Sequence, residues 1–270
     1  VVVLGLEVLD EKGVPVAMVP ELAVGLDTRR LLEGDFVPTT IDVVGANIDL
    51  RREADGSLQI GIGGDGGDGN AVIGFFRDLT LAPDPRRAGA ALRRVSVLET
   101  SITFDDRQRG VVWPVPKADL ILNRDAQGLS GDLIVDLDIG GATTQFVATA
   151  DFEYVGRMTT LAVDFEDLDP QRLAAKDAAL AGLSRLQLPV TGRLELTISE
   201  AGRFDGIDFE IRSGEGALDL APVFAAPSRV GAMAAQGTLD VSNKALVFKE
   251  LILERDSARA DLVGVIFAED

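Results

Sequence analysis

The chain has 270 residues, 46% apolar and only 5% aromatic, with a formal net charge of −18 and neither Cys nor His. Those two absences remove disulfides, thiolate nucleophiles, Cys-based zinc sites, the usual general base and the commonest metal ligand. The acidic balance argues against nucleic acid, whose phosphates it would repel, and against a surface lying flat on anionic lipid.

The length allows one large or two modest domains. No apolar run approaches the roughly 20 residues that a bilayer-spanning helix needs, and no signal peptide is visible. The chain opens on Val1 rather than Met. That predicts a trimmed chain whose preceding segment, such as a membrane anchor, is missing.

Val1 to Val8 reads as a strand, Asp10 to Gly13 as a turn, and Val16 to Leu26 as the returning strand. Thr28 to Glu33 reads as one helical turn stopped by Gly34. Thr40 to Leu50 is the next strand, with Val44, Ala46, Ile48 and Leu50 expected on one face. The charged turn Arg51 to Gly56 leads to a pairing strand, Ser57 to Ile62.

Gly61 to Asn70, GIGGDGGDGN, is a break in composition. Within it, 63–68 fits one copy of the GGxGxD calcium repeat, which needs tandem copies to share each ion. A flexible Gly-rich linker is the favoured reading. The chain therefore divides into an N-terminal β segment (1–60), a linker (61–70) and a continuing β region (71–270).

Val72, Phe75, Phe76 and Leu79 recur at helical spacing, which predicts a short amphipathic helix ended by Pro83 and Pro85. The four arginines between Arg86 and Arg94 suit a solvated loop better than an anion-binding patch. Strands then follow at Val95–Phe104, Val111–Asn123, Leu129–Ile139, Thr143–Tyr154 and Met158–Glu166. Asp132, Asp136 and Asp138 alternate with Leu133, Val135, Leu137 and Ile139. A wet strand face explains these acids more simply than a metal site.

Asp169-Pro170 is a helix start, with Asp at the N-cap and Pro in the first turn. Gln171 to Leu186 is expected to be the longest helix, its stripe of Leu173, Leu180, Leu183 and Leu186 forming a packing face or capping one mouth of the sheet. It feeds into a hairpin. Leu194, Leu196 and Ile198 alternate with Arg193, Glu195 and Thr197, and Ile207, Phe209 and Ile211 with Asp208 and Glu210. Glu200-Ala201-Gly202 supplies the turn. A short strand at 217–220, an irregular stretch at 221–230 and three last strands complete about 15 strands.

Three stretches carry a resemblance: VLDEKGVPVAMVPEL with LLEGDFVPTTIDVVGANIDLRREADGSLQI; ITFDDRQRGVVWPVPKADLILNRDAQGLSGDL; and FEDLDPQRLAAKDAALAGLSRLQLPVTGRLELTISEAGRFDGIDFEI. Together they resemble the AsmA-like envelope proteins, most closely the YhdP-type members of the superfamily that includes TamB. The resemblance implies a bacterial protein anchored in the inner membrane and projecting into the periplasm. It implies a long, taco-like β-groove with an apolar interior that carries phospholipid towards the outer membrane. It implies no catalytic residues.

The expected fold is therefore mainly β: a long, curved antiparallel sheet with an apolar concave face and two or three short helices. The expected function is a bridge-like lipid-transfer groove whose partners are phospholipid acyl chains. The candidate lining residues are Leu133, Val135, Leu137, Ile139, Leu194, Leu196, Ile198, Ile207, Phe209 and Ile211. A non-catalytic envelope scaffold with a filled core, meeting other envelope proteins through a strand edge, is the alternative. No cofactor, metal or catalytic residue is expected. The only tempting acid pairs, Asp205 with Asp208 and Asp105 with Asp106, have turn and strand-face roles.

Overall fold

The computed structural model describes residues 1–9, 15–62, 74–75, 77–84, 89–219, 226–255 and 258–267. The expected turn at 10–13, most of the Gly-rich stretch with its calcium reading, Val72, Phe76 and Arg86 lie outside them. Among the described residues the fold is mainly β. Fifteen strands share one sheet, in the order β1-β2-β3-β6-β7-β8-β9-β10-β12-β13-β16-β17-β18, with β4 and β5 paired off that path. The order has two ends and the sheet does not close into a barrel.

The chain forms two compact units. The first holds Val1–Asp138 and Thr149–Arg157, the second Ile139–Ala148 and the chain from Met158. Strand β9, Thr143–Glu153, contributes to both.

The first unit contains β1 (Val2–Leu9), β2 (Pro15–Leu26), β3 (Pro38–Val44), β4 (Asn47–Arg52), β5 (Leu58–Ile62), β6 (Arg94–Asp106), β7 (Val111–Arg124) and β8 (Gly128–Asp138). Asp27 caps the helical turn Thr28–Leu32 by accepting from the Arg29 and Arg30 amides. The strand expected from 40 to 50 is two strands. Gly45, at φ +75°, ends the first strand and interrupts the alternation expected through Val44, Ala46, Ile48 and Leu50.

The sheet is mixed, where alternation alone predicts antiparallel pairing throughout. Both β3 and β4 run parallel to β6. The chain between β5 and β6 is long enough for the crossover that parallel strands require. A constant offset of 54 residues then sets side chain against side chain: Asp42 with Ser96, Asn47 with Ser101, Arg52 with Asp106, and Glu53 with Arg107. Glu99, at φ +51°, breaks β6 beside the break at Gly45, and its amide donates to Asp119 at 2.7 Å. The two interruptions fall together, so the register survives them.

Residues 77–79 are helical, as the spacing predicts. Leu79 and Leu92 pack on Val95, with Ile41, Phe75, Val97, Leu122 and Leu129 around them. Arg124 holds this cover in place. Its guanidinium donates to the Leu81 and Gly89 carbonyls and to the Tyr154 hydroxyl at 2.6, 2.8 and 3.0 Å. Tyr154 in turn donates to the Leu79 carbonyl at 3.2 Å.

The second unit contains β10 (Met158–Leu168), β12 (Val190–Ser199), β13 (Gly206–Ser213), β16 (Ala232–Asp240), β17 (Ala245–Arg255) and β18 (Ala258–Phe267). It also holds a three-stranded sheet of β11 (Leu186–Gln187), β14 (Gly216–Leu218) and β15 (Ser228–Val230). The single helix expected over 171–186 is two pieces. An α-helix, Pro170–Lys176, is followed by a 3-10 helix, Ala178–Arg185. Asp177 makes the break: its backbone turns extended and its side chain accepts from the Ala179 amide at 2.8 Å, starting a new cap. Asp169 caps the first piece as expected.

The small sheet leads into one end of the large one, since β11 precedes β12, β14 follows β13 and β15 precedes β16. Buried side chains gather there: Leu168, Pro170, Asp177, Leu188, Val190 and Leu218. Arg172 also ties the helix to the turn after β8, donating to the Gly140 carbonyl at 3.1 Å. Among the described residues no helix is long and apolar enough to cross a membrane.

Candidate functional site

The candidate site is an apolar strand face, taken unit by unit. In the second unit, alternation along β12 half-buries Leu194, Leu196 and Ile198 and exposes Arg193, Glu195 and Thr197. Pairing then aligns apolar residues across six strands. One row runs Val163, Leu194, Phe209, Gly237, Phe248, Gly264. Another runs Phe165, Gly192, Ile211, Ala235, Leu251, Leu262. Further along, Ile207, Leu239, Leu246 and Ile266 align in the same way. Leu161 stands opposite Leu196 and Thr159 opposite Ile198.

Burial is graded along these strands. The end that meets the small sheet is filled, as described above. At mid-strand Leu194, Leu196, Ile211 and Leu251 are half-buried while Phe165, Phe209 and Ala235 are buried, and towards the last strand Leu239, Leu262 and Ile266 are exposed. Two rings fill part of the face. Phe165 lies across from Gly192 and Phe209 across from Gly237. A Cβ on Gly192 would sit 3.1 Å from the Phe165 ring, and one on Gly237 would sit 2.8 Å from that of Phe209. The glycines thus let the rings lie against the strand backbone. Phe248 meets Phe209 edge-to-face at 5.9 Å, a favoured ring geometry.

The opposite face of the same strands is charged. Arg193 bridges Asp164 at 2.7 Å and Glu195 at 2.8 Å, and Asp208 accepts from Lys249 at 3.4 Å. The Thr238 hydroxyl, then Lys249, holds the Asp208 carboxyl below the usual carboxylate range. One face is therefore wet and the other aliphatic.

In the first unit Leu133 stands opposite Leu120 and Val135 opposite Ala118, and the row continues from Leu120 through Val97 and Val43 to Leu22. Leu133, Val135 and Leu137 are half-buried. Beside the Leu79 and Leu92 cover lies a recess of about 550 Å³, lined by Pro38, Ile41, Phe75, Leu79 and Leu92 together with the charged residues Asp78, Asp84 and Arg124. Sequence reasoning did not find this recess. The helical spacing of Phe75 and Leu79 was the available signal, but nothing in it names the strands they cover.

Ile139 differs from the other expected lining residues. It lies past the end of β8, in a turn where its amide donates to the Ala142 carbonyl at 2.8 Å, and it is 1% exposed. It is a core residue of the second unit. Phe209 is also buried. The remaining eight are half-buried, and each unit holds its own set.

Of the acid pairs, Asp208 is held by Thr238 and Lys249 as described, and both members of the other pair are engaged. Asp105 meets Arg51 and Arg107. Asp106 accepts from Nε and Nη2 of Arg52 and from the Arg109 amide, and the Arg52 hydrogen bonds hold its carboxyl below the usual range. A general acid needs the opposite shift. Among the described residues no group of three or more acidic side chains is placed to hold a metal ion.

Comparison with protein-family models, with curated proteins and with solved structures finds no match.

Proposed function

We propose that this chain is part of a lipid-transfer groove, its aliphatic strand face carrying phospholipid acyl chains between the inner and outer membranes of a bacterial envelope. The observation that carries the reading is the set of aligned apolar rows across six strands of the second unit, in which Leu194, Ile211 and Leu251 are half-buried at mid-strand and Leu239, Leu262 and Ile266 are exposed towards β18. Side chains packed into a finished core are normally buried, and an extended apolar face left partly open marks a binding surface. Each methylene taken from water contributes about 0.8 kcal/mol, so an acyl chain could gain on the order of 10 kcal/mol before the costs of ordering it. Headgroups would stay in water, and the aliphatic track would not distinguish among them.

The resemblance to AsmA-like envelope proteins supports the same reading and supplies its setting. That setting is the periplasmic side of the inner membrane, with an anchor outside this chain. The protein is proposed to act without catalysis or cofactor.

A second reading, an envelope scaffold with a filled interior, is favoured by the rings over Gly192 and Gly237 and by the buried cluster at one strand end. The two readings separate on cargo. Mass spectrometry of an organic extract of the purified protein is expected to find phospholipid. A photoreactive residue in place of Leu196 is expected to crosslink to acyl chains. No lipid in the extract together with no crosslink would leave the scaffold.

A further inference from the structure

The aliphatic face of β10 and β12 is closed at one strand end and turns polar at the other. At the closed end Phe165, Leu168 and Val190 are buried, and Phe146 meets the Phe165 ring at 6.1 Å. From there Val163 and Leu161 on β10, and Leu194, Leu196 and Ile198 on β12, are all half-buried. Val163 pairs with Leu194 and Leu161 with Leu196, which makes a lane one strand pair wide. Phe209, buried and paired with Leu194, borders it. Past Leu196 the character changes. Thr159 stands opposite Ile198, and Ser199 opposite the exposed Met158. The turn that follows, from Glu200 to Asp205, is exposed throughout.

We infer that a phospholipid acyl chain lies along this lane, parallel to β10 and β12, with its methyl end against Phe165 and Val190 and its ester end at Thr159 and the 200–205 turn. This orientation deepens the lipid reading and rests on it. The length fits. From Gly192 to Ile198 an antiparallel strand rises about 20 Å, and the acyl chains of one leaflet span about 15 Å, half of a hydrocarbon core. The lane therefore holds such a chain whole. Reversed, the chain would bring its ester oxygens among the aromatic and aliphatic side chains of the closed end, and burying a polar group without a hydrogen bond is costly. A chain crossing the strands from Leu194 towards β16 would meet the Phe209 ring, which packs edge-to-face on Phe248 at 5.9 Å. The exposed turn leaves the headgroup in water.

The test uses the whole chain and phosphatidylcholine vesicles in which one acyl chain carries a diazirine, either at its methyl end or beside its ester. After irradiation, mass spectrometry maps the labelled residues. The methyl-end probe is expected to label Val163 to Phe165 and Gly192 to Leu194, and the ester-side probe Thr159, Ile198 and the 200–205 turn. Leu194→Trp fills the lane midway. It is expected to lose the methyl-end label at Phe165 and Gly192 and to keep the ester-side label, with far-UV circular dichroism matching the parent. The opposite order of labels, equal labelling of both ends by both probes, or a methyl-end label that survives Leu194→Trp would overturn the orientation and leave the lipid reading standing. No label on the aliphatic face from either probe would overturn both.

Discussion

The Phe209 ring lies against Gly237 of the neighbouring strand, so close that a Cβ there would stand 2.8 Å from its Cζ. The same Cβ would stand 2.0 Å from the Val247 carbonyl oxygen, a backbone atom that cannot swing aside. The pairing shifts register between Gln236 and Gly237, and glycine in a strand often marks such a site. Gly237→Ala is therefore expected to cost about 1–3 kcal/mol, as overpacking does. Phe209→Ala is expected to cost about 3–5 kcal/mol. Urea unfolding of each variant checks both. Because the residues share one contact, the double substitution should cost less than the sum.

Ile139 and Leu196 separate core from track. Ile139 is almost fully buried and Leu196 only half. Ile139→Ala is expected to cost about 2–5 kcal/mol. Leu196→Ala is expected to cost about 1 kcal/mol, since part of its surface already meets water. On the lipid reading the order reverses for cargo: Leu196→Asp lowers co-purified phospholipid more than Ile139→Val does, measured per mole of folded protein.

Asp106 couples folding to acid. Its side chain is 2% exposed and sits in the Arg52 fork, whose hydrogen bonds lower its pKa on folding. The folded carboxyl therefore releases its proton more readily than the unfolded one. The stability from this group is present above the unfolded pKa and is lost as pH falls through the folded pKa. Asp106→Asn is expected to flatten the fall in urea midpoint below the ordinary carboxylate range. Arg52→Ala is expected to destabilise most at neutral pH, and its deficit should shrink as Asp106 protonates.

Arg124 fastens the Leu79 and Leu92 cover through three donors to Leu81, Gly89 and Tyr154. A lysine offers a compact ammonium in place of the planar fork and cannot reach all three. Arg124→Lys is expected to cost about 2 kcal/mol. Hydrogen exchange should quicken at the Leu92 amide, which donates to the Gly89 carbonyl, while the amides of β12 are unaffected. Tyr154→Phe removes two hydrogen bonds, from Arg124 and to the Leu79 carbonyl, and is expected to cost about 2 kcal/mol.

Local chemistry determined much of this protein from the sequence alone. Alternation marked most strands and the wet and aliphatic faces of β12 and β13. Asp169 announced its helix start, because a carboxylate next to free amides acts within a few residues. The aliphatic character of the lining residues was equally legible. Period-two patterning says which face a side chain takes, but not which strand lies beside it. Tertiary structure alone decided the parallel pairing of β3 and β4 with β6, the 54-residue register, the rings over Gly192 and Gly237, and the burial of Ile139. Each depends on contacts between residues far apart in the chain, whose partners are chosen by packing and register across the sheet. The break at Asp177 had a local cause, a second capping carboxylate, hidden within a continuous leucine stripe.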